Sequence, residues 1–157
     1  MAKSDLQKYT TTERLNKMDV DVITLTAACH GNACSDAEVI FQEDEILNAV
    51  SVPGGTCILQ SIGLLDDDHH GGAIDLVFMN ATGKLDDSDD GTVIDVDDTA
   101  DAASAAIIDA ILGVVQISNY FDGVLWKYGH KENIGLVLKA ADDSTSIYVS
   151  AVNRSGG

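Results

Sequence analysis

The chain has 157 residues, and 45% of them are hydrophobic, which suits one folded domain with a core and excludes a disordered chain. Its formal net charge is −17, and such acidity excludes nucleic acid as a partner because phosphates would be repelled. No apolar run is long enough to span a membrane, so we expect no membrane association.

Residues 1–19 are polar and lack a period-two pattern, which predicts an extended N-terminal arm. The arm is basic in a chain that is otherwise acidic, and its cationic side chains are Lys3, Lys8, Arg14 and Lys17. We expect these residues to dock on an acidic neighbour, including another copy of the chain; the alternative is a poorly ordered terminus. The arm lacks the apolar segment of a signal peptide and the chain has three cysteines, an odd number, so we expect synthesis in a reducing cytoplasm without disulfides.

Residues 20–157 contain short apolar runs separated by turn residues, which predicts a single β-domain. The acidic residues favour this interpretation, since most are Asp, a turn residue, and few are Glu, a helix former. In the first half the predicted strands are 20–26, 38–42 (broken by the following EDE), 46–52 (ended by Pro53-Gly54-Gly55), 56–66 and 73–80. The last two are predicted to form a hairpin through the acidic, glycine-ended connection DDDHHGG (66–72).

The second half begins with a polar loop and then one predicted helix, residues 99–112. Asp98 or Thr99 can cap it, alanines favour it, and Gly113 suits the position after its end. Four further strands are predicted at 114–118, 123–128, 134–141 and 145–152. About eight short strands without β-α alternation predict an all-β fold, an antiparallel β-sandwich that is jelly-roll-like, with one short α-helix and an N-terminal arm.

An aspartate-rich stretch, DDSDDGTVIDVD (86–97), has the spacing of a twelve-residue calcium loop. Gly91 falls at the sharp turn, and the candidate metal ligands are Asp86, Ser88, Asp90 and Asp97. The match is incomplete because Ile94 brings no side-chain oxygen and Asp97 replaces the longer Glu. Ca²⁺ is therefore the one candidate cofactor, and the alternative is a solvated acidic loop.

Two other clusters contain metal-ligating side chains. The five residues from Asp66 to His70 are consecutive, so their side chains point in different directions, and a charged turn is the simpler interpretation. Cys29, His30 and Cys34 have an unusual spacing with no second pair to complete a zinc site, which favours a loop with free thiols.

Motifs of hydrolases and nucleotide-binding proteins do not occur in the sequence, so we predict that the protein is not an enzyme. Four aromatic residues fall close together, at Tyr120, Phe121, Trp126 and Tyr128. Trp126 and Tyr128 are predicted to share one strand face. A core-facing or interface pair is the simpler interpretation, and a sugar-stacking strip is the alternative.

Two parts of the chain carry a recurring set of motifs: VPGGTCILQSIGLLDDDHHGGAIDLVFMN (52–80), and LGVVQIS (112–118) followed by NIGLVLKAADDSTSIYVSAVNRSG (133–156). In these motifs the chain resembles a family of tailed-bacteriophage virion proteins, the capsid decoration or cement proteins. It departs from the family pattern in ending at NRSGG, where one more strand is expected, and in an acidic insertion near 86–98.

The resemblance implies a non-enzymatic structural virion protein, made in the host cytoplasm, that binds the outer capsid surface. There it would reinforce contacts between major capsid proteins, as a dimer or trimer. The alternative is a glycan- or host-surface-binding module displayed on the virion or tail. A sugar-binding module should expose Trp126 and Tyr128 in a groove, whereas a cement protein should bury them or place them at a contact.

Overall fold

A computed structural model describes residues 21–27, 36–67, 71–82 and 109–154. This part of the chain is all-β and its paired strands are antiparallel, as predicted. Its strands are β1 (Val39–Ile46), β2 (Thr56–Leu59), β3 (Ile62–Asp66), β4 (Ile74–Met79), β5 (Ile111–Ile117), β6 (Tyr120–Asp122), β7 (Lys127–Lys131), β8 (Leu136–Lys139) and β9 (Ile147–Asn153). None of the described residues forms a helix with the length and hydropathy needed to cross a bilayer.

The strands form three sheets. A four-stranded sheet has the order β1-β9-β4-β5, a three-stranded sheet has the order β3-β7-β6, and β2 pairs with β8. The predicted hairpin between 56–66 and 73–80 is therefore wrong, because β3 pairs with β7 whereas β4 pairs with β5 and β9. The physical reason lies in β4, whose last four residues are buried, because the backbone N–H and C=O groups of a buried strand need hydrogen-bond partners on both edges.

The main hydrophobic core draws on all three sheets. Leu76 and Phe78 of β4 pack there with Ile117 of β5, Ile147 of β9 and Leu138 of β8, and half-buried side chains of β2 and β3 pack against them. On the opposite face of β4, Val77 and Met79 form a second buried cluster with Val152. The inner strands β4 and β9 are thus largely buried on both faces, which explains why the last four residues of β4, Leu76–Met79, are all apolar.

The predicted strand at 20–26 is wrong over the residues described. Residues 21–27 form no regular secondary structure, and Val22 is 91% exposed. Alternation of apolar and polar residues produces a half-buried strand only where a neighbouring strand is available for pairing. Val20 lies outside the described residues.

The predicted break at EDE and the predicted strand at 46–52 are also wrong. β1 continues through Glu43–Glu45 with shifts in its pairing to β9, and the chain then turns, with Asn48 at a φ of 53°. β1 is an edge strand of the four-stranded sheet, and edge strands tolerate charged residues. Glu45 is exposed, whereas Glu43 and Asp44 are half-buried. The turn at Pro53-Gly54-Gly55 is confirmed, with Gly54 at a φ of 68° and its N–H donating to the carbonyl of Ala141 at 2.9 Å.

Most of the predicted helix, residues 99–108, lies outside the described residues. Asp109 and Ala110 are helical, but Ile111 begins β5, so the predicted end at residue 112 is wrong. Gly113 is a strand residue opposite Phe78, where an added methyl group would lie 2.7 Å from Cδ1 of Leu136. The glycine is therefore explained by close packing and not by a helix end.

The later strands are confirmed in part. The predictions at 114–118, 134–141 and 145–152 overlap β5, β8 and β9, with different ends. The predicted strand at 123–128 is wrong over residues 123–126, which form the turn between β6 and β7, and is confirmed over residues 127–128, which lie in β7. Val-Leu at the centre of that turn carries none of the usual turn residues, which is why the sequence pattern did not mark it.

Candidate functional site

The outer face of the three-stranded sheet exposes large apolar side chains in a row. Leu65 of β3 lies opposite Tyr128 of β7, and Tyr128 lies opposite Phe121 of β6. All three side chains are exposed. Together with the turn residues that follow β6 they form what we call the hairpin surface, which consists of Leu65, Phe121, Val124, Leu125, Trp126 and Tyr128.

The tip of the β6–β7 hairpin is unusually apolar. The N–H of Gly123 donates to the carbonyl of Trp126 at 2.9 Å, which leaves Val124 and Leu125 alone at the tip. Val124 is 92% exposed and Leu125 is 77% exposed. Asn and Gly favour such two-residue turns, whereas β-branched Val does not. Local folding preference does not explain this pair, and a contiguous exposed apolar patch is typical of a binding surface.

Two aromatic rings of the hairpin surface rest on glycines. A methyl group added to Gly123 would lie 2.8 Å from Cδ2 and Cε2 of Trp126, and one added to Gly63 would overlap the phenol ring of Tyr128. Each ring is therefore supported by backbone on one side, yet 41% of each residue is exposed. Tyr128 also stacks on His130, with centroids 6.0 Å apart and planes 10° apart. The glycines thus allow the rings to lie close to the backbone and present a face to solvent.

The hairpin surface contains one open depression, with a volume of about 490 Å³. Its lining residues are Leu65, Asp67, Leu125, Trp126 and Tyr128. Four of them are apolar or aromatic, and Asp67 supplies the single charged side chain. The depression is large enough for one side chain of a partner or a small ligand.

The inner face of the same sheet supports this surface. Tyr120 of β6 faces inward, where its ring lies beside Gly129 of β7. Burial and, second, the negative charge of Asp66 raise the pKa of Tyr120 to about 12. The Tyr120 hydroxyl is buried and has no hydrogen-bond partner. An Asp66 carboxylate oxygen accepts a hydrogen bond from the N–H of Gly71 at 2.6 Å, which ties the end of β3 to the chain that follows.

The metal and partner residues predicted from the sequence all lie outside the described residues; they are Lys3, Lys8, Arg14, Lys17, Asp86, Ser88, Asp90 and Asp97. The loop with Cys29, His30 and Cys34 and residues 68–70 of the DDDHHGG connection also lie outside them. Within the described ranges, no three His, Cys, Asp or Glu side chains come together to hold a metal ion. Cys57 is a half-buried thiol whose pKa is raised by burial, which disfavours the thiolate needed for nucleophilic chemistry.

The aromatic residues predicted from the sequence do come together. Phe121 and Trp126 have ring centroids 5.8 Å apart, and Trp126 and Tyr128 line the same depression. The core-facing interpretation of the Trp126–Tyr128 pair is wrong, since both are exposed. Sequence reasoning missed Val124 and Leu125, although an apolar pair directly after a glycine between two short strands was a signal for an exposed tip.

No protein-family profile, curated protein or solved structure matches this chain. The geometry of the hairpin surface and the motifs of the sequence are therefore the basis for a functional proposal.

Proposed function

We propose that this protein is a non-enzymatic structural protein of a tailed-phage virion that binds the outer capsid surface and reinforces contacts between major capsid proteins. The hairpin surface is the observation that carries the proposal. Its exposed apolar side chains suit contact with another protein, because removing apolar surface from water is favourable. The resemblance of residues 52–80, 112–118 and 133–156 to decoration proteins suggests that the partner is a major capsid protein.

The proposed architecture is a β-sandwich of jelly-roll type. It is supported by the main core, to which the four-stranded sheet contributes Phe78 and Ile147 and the smaller sheets contribute Leu138. In such an arrangement the outer face of β3-β7-β6 points away from the core, which leaves the hairpin surface available to a partner.

The proposed attachment is multivalent. A dimer or trimer on a capsid lattice presents several hairpin surfaces at once, and linked weak contacts add through effective concentration. The net charge of −17 favours solubility of the unbound protein despite its apolar tip.

Binding to capsids of the parent phage that lack this protein tests the proposal. The test variant combines Val124→Asn with Leu125→Gly, which removes the apolar tip and keeps a turn. The matched control is Val137→Ser, which removes an exposed apolar side chain of β8, outside the hairpin surface. We expect full occupancy by wild type and by the control, and at least a tenfold loss of apparent affinity for the tip variant. Equal occupancy by all three would contradict the role of the hairpin surface, and failure of wild type to bind would contradict the function.

A further inference from the structure

The residues that line the depression on the hairpin surface restrict which ligands can bind there. Its lining surface is almost entirely apolar, from the exposed aromatic residues Trp126 and Tyr128 and two leucines, and Asp67 is its one charged residue. A purely aliphatic side chain would use the apolar lining but would place Asp67 against a group that cannot pair with it. The occupant therefore needs a flat or apolar face and a positive or hydrogen-bond-donating edge.

A sugar ring meets this requirement poorly. A pyranose carries several hydroxyl groups, each of which loses water on binding and needs a partner. Asp67 is the single charged side chain in the lining, and the two leucines can accept or donate nothing through their side chains. Apart from Asp67, the Tyr128 hydroxyl and the Trp126 indole N–H are the hydrogen-bonding side-chain groups of the lining, which is a small number of partners for a pyranose.

A guanidinium group meets the requirement well. It is planar, stacks on aromatic rings, is weakly hydrated, and pairs with a carboxylate through its N–H groups. The quadrupole of an aromatic ring places negative charge on its face, which attracts a cation lying over it. The charge of the whole chain acts in the same direction, since a protein of net charge −17 attracts cationic groups.

We infer that the depression receives the side chain of an arginine on the surface of the partner protein. Its guanidinium stacks on Trp126 or Tyr128 and pairs with the carboxylate of Asp67, while Leu65 and Leu125 cover the aliphatic stem. This inference rests on the proposed function, because it names the chemistry of the partner surface that the hairpin surface contacts. That surface is apolar with an exposed arginine.

The single tryptophan of the chain makes the site directly observable, because all tryptophan emission comes from Trp126. Full-length protein is titrated with N-acetyl-argininamide, with the neutral N-acetyl-citrullinamide, and with a panel of methyl pyranosides. We expect emission to change saturably with the arginine compound alone. Asp67→Asn should weaken that binding by about two- to fivefold, the range typical of an exposed ion pair. The matched control is Asp143→Asn, which removes an exposed carboxylate of the β8–β9 turn and should leave the binding unchanged.

Three results would overturn the inference. They are no saturable response to the arginine compound, an equal response to the citrulline compound, or a response to a pyranoside in its place, which would assign the depression to a glycan. If Asp143→Asn lost as much arginine binding as Asp67→Asn, the loss would come from the change in net charge and not from a specific contact. That result would contradict a binding site at Asp67. Circular dichroism of each variant verifies that it is folded.

Capsid binding separates this inference from the proposed function. We expect Asp67→Asn to bind capsids more weakly than wild type, and Asp143→Asn to bind as wild type does. Capsid binding that is unchanged in Asp67→Asn would overturn the arginine contact and leave the proposed function standing. Absence of capsid binding by wild type would overturn the proposed function, whatever the titrations show.

Discussion

At the scale of single residues, glycine determines how the aromatic side chains of the three-stranded sheet are placed. Gly63 gives space to Tyr128 on the outer face, and Gly129 gives space to Tyr120 on the inner face. The packing role of these two glycines could not have been predicted from the sequence, because each glycine is equally consistent with a turn or a weak strand. The aromatic ring that packs on the glycine comes from another strand in each case, and the local sequence pattern does not predict which strands pair.

Substitution of Gly129 by alanine should destabilise the protein through overpacking. The added methyl group would lie 2.6 Å from Cγ2 of Ile117 and 2.8 Å from Cε1 of Tyr120, and both neighbours pack in or against the main core. We expect a loss of about 1–3 kcal/mol in the free energy of unfolding, measured by urea denaturation. The control is Gly135→Asn, which should change stability by less than about 0.5 kcal/mol because Gly135 has a φ of 65°, which Asn tolerates, and nothing within 4 Å. Equal stability of Gly129→Ala and wild type would show that this packing is not tight.

Tyr120 should make stability depend on pH in the alkaline range. Its pKa rises from 10.0 to about 12 on folding, because the folded state disfavours the charged phenolate. The contribution of neutral Tyr120 to the free energy of unfolding is therefore complete below pH 10 and is lost as the pH rises towards 12. Tyr120→Phe should flatten this decline in urea denaturation between pH 10 and 12. At pH 7 the variant should be as stable as wild type or more stable by about 1 kcal/mol, because the buried hydroxyl has no partner. A decline of unchanged steepness in the variant would assign the pH dependence to other groups.

At the scale of elements, local patterns predicted the strands that alternate or end at clear turn residues. β5, β8, β9 and the Pro53-Gly54-Gly55 turn belong to this group. The predicted hairpin failed because the turn residues between β3 and β4 mark a change of direction without specifying which strand pairs with which. The strand predicted at 38–42 ended too early because acidic residues such as those at 43–45 are unfavourable in a central strand. They are acceptable in β1, which lies at the edge of its sheet.

The β6–β7 hairpin was the element that local preference described least well. Val124-Leu125 is a poor turn sequence, and its place at the tip is understandable if a partner covers it. Local rules that fail at one site while holding elsewhere point to function at that site. The candidate surface could thus be predicted from the sequence as an aromatic pair, but its tip and its depression required the pairing of β3, β7 and β6.

Replacing the tip should separate folding from binding. Val124→Asn with Leu125→Gly introduces residues that favour a two-residue hairpin turn. We expect the midpoint of urea denaturation to stay unchanged or to rise, with a gain of up to about 0.5 kcal/mol in stability, although capsid binding is lost. A clearly lower stability would mean that Val124 and Leu125 serve the fold of this chain, and would contradict their assignment to a partner contact.

At the scale of the whole molecule, the chain combines a β-sheet core with a strongly acidic sequence. The calcium loop predicted at 86–97 lies outside the described residues and remains a prediction. A ligand that binds the folded state alone raises the apparent melting temperature by mass action. If Ca²⁺ occupies the loop, EDTA should lower the melting temperature and added Ca²⁺ should restore it. Asp86→Asn with Asp90→Asn should abolish the response, and identical melting of wild type with and without EDTA would exclude a stabilising ion.

The copy number of the chain in purified particles is the most direct test of the proposed attachment to a capsid lattice. Quantitative mass spectrometry of intact virions, with the major capsid protein as internal reference, provides the ratio of the two chains. A lattice protein predicts a copy number of the same order as that of the major capsid protein. A handful of copies per particle, as in a neck or tail, or absence from the particle, would contradict the claim.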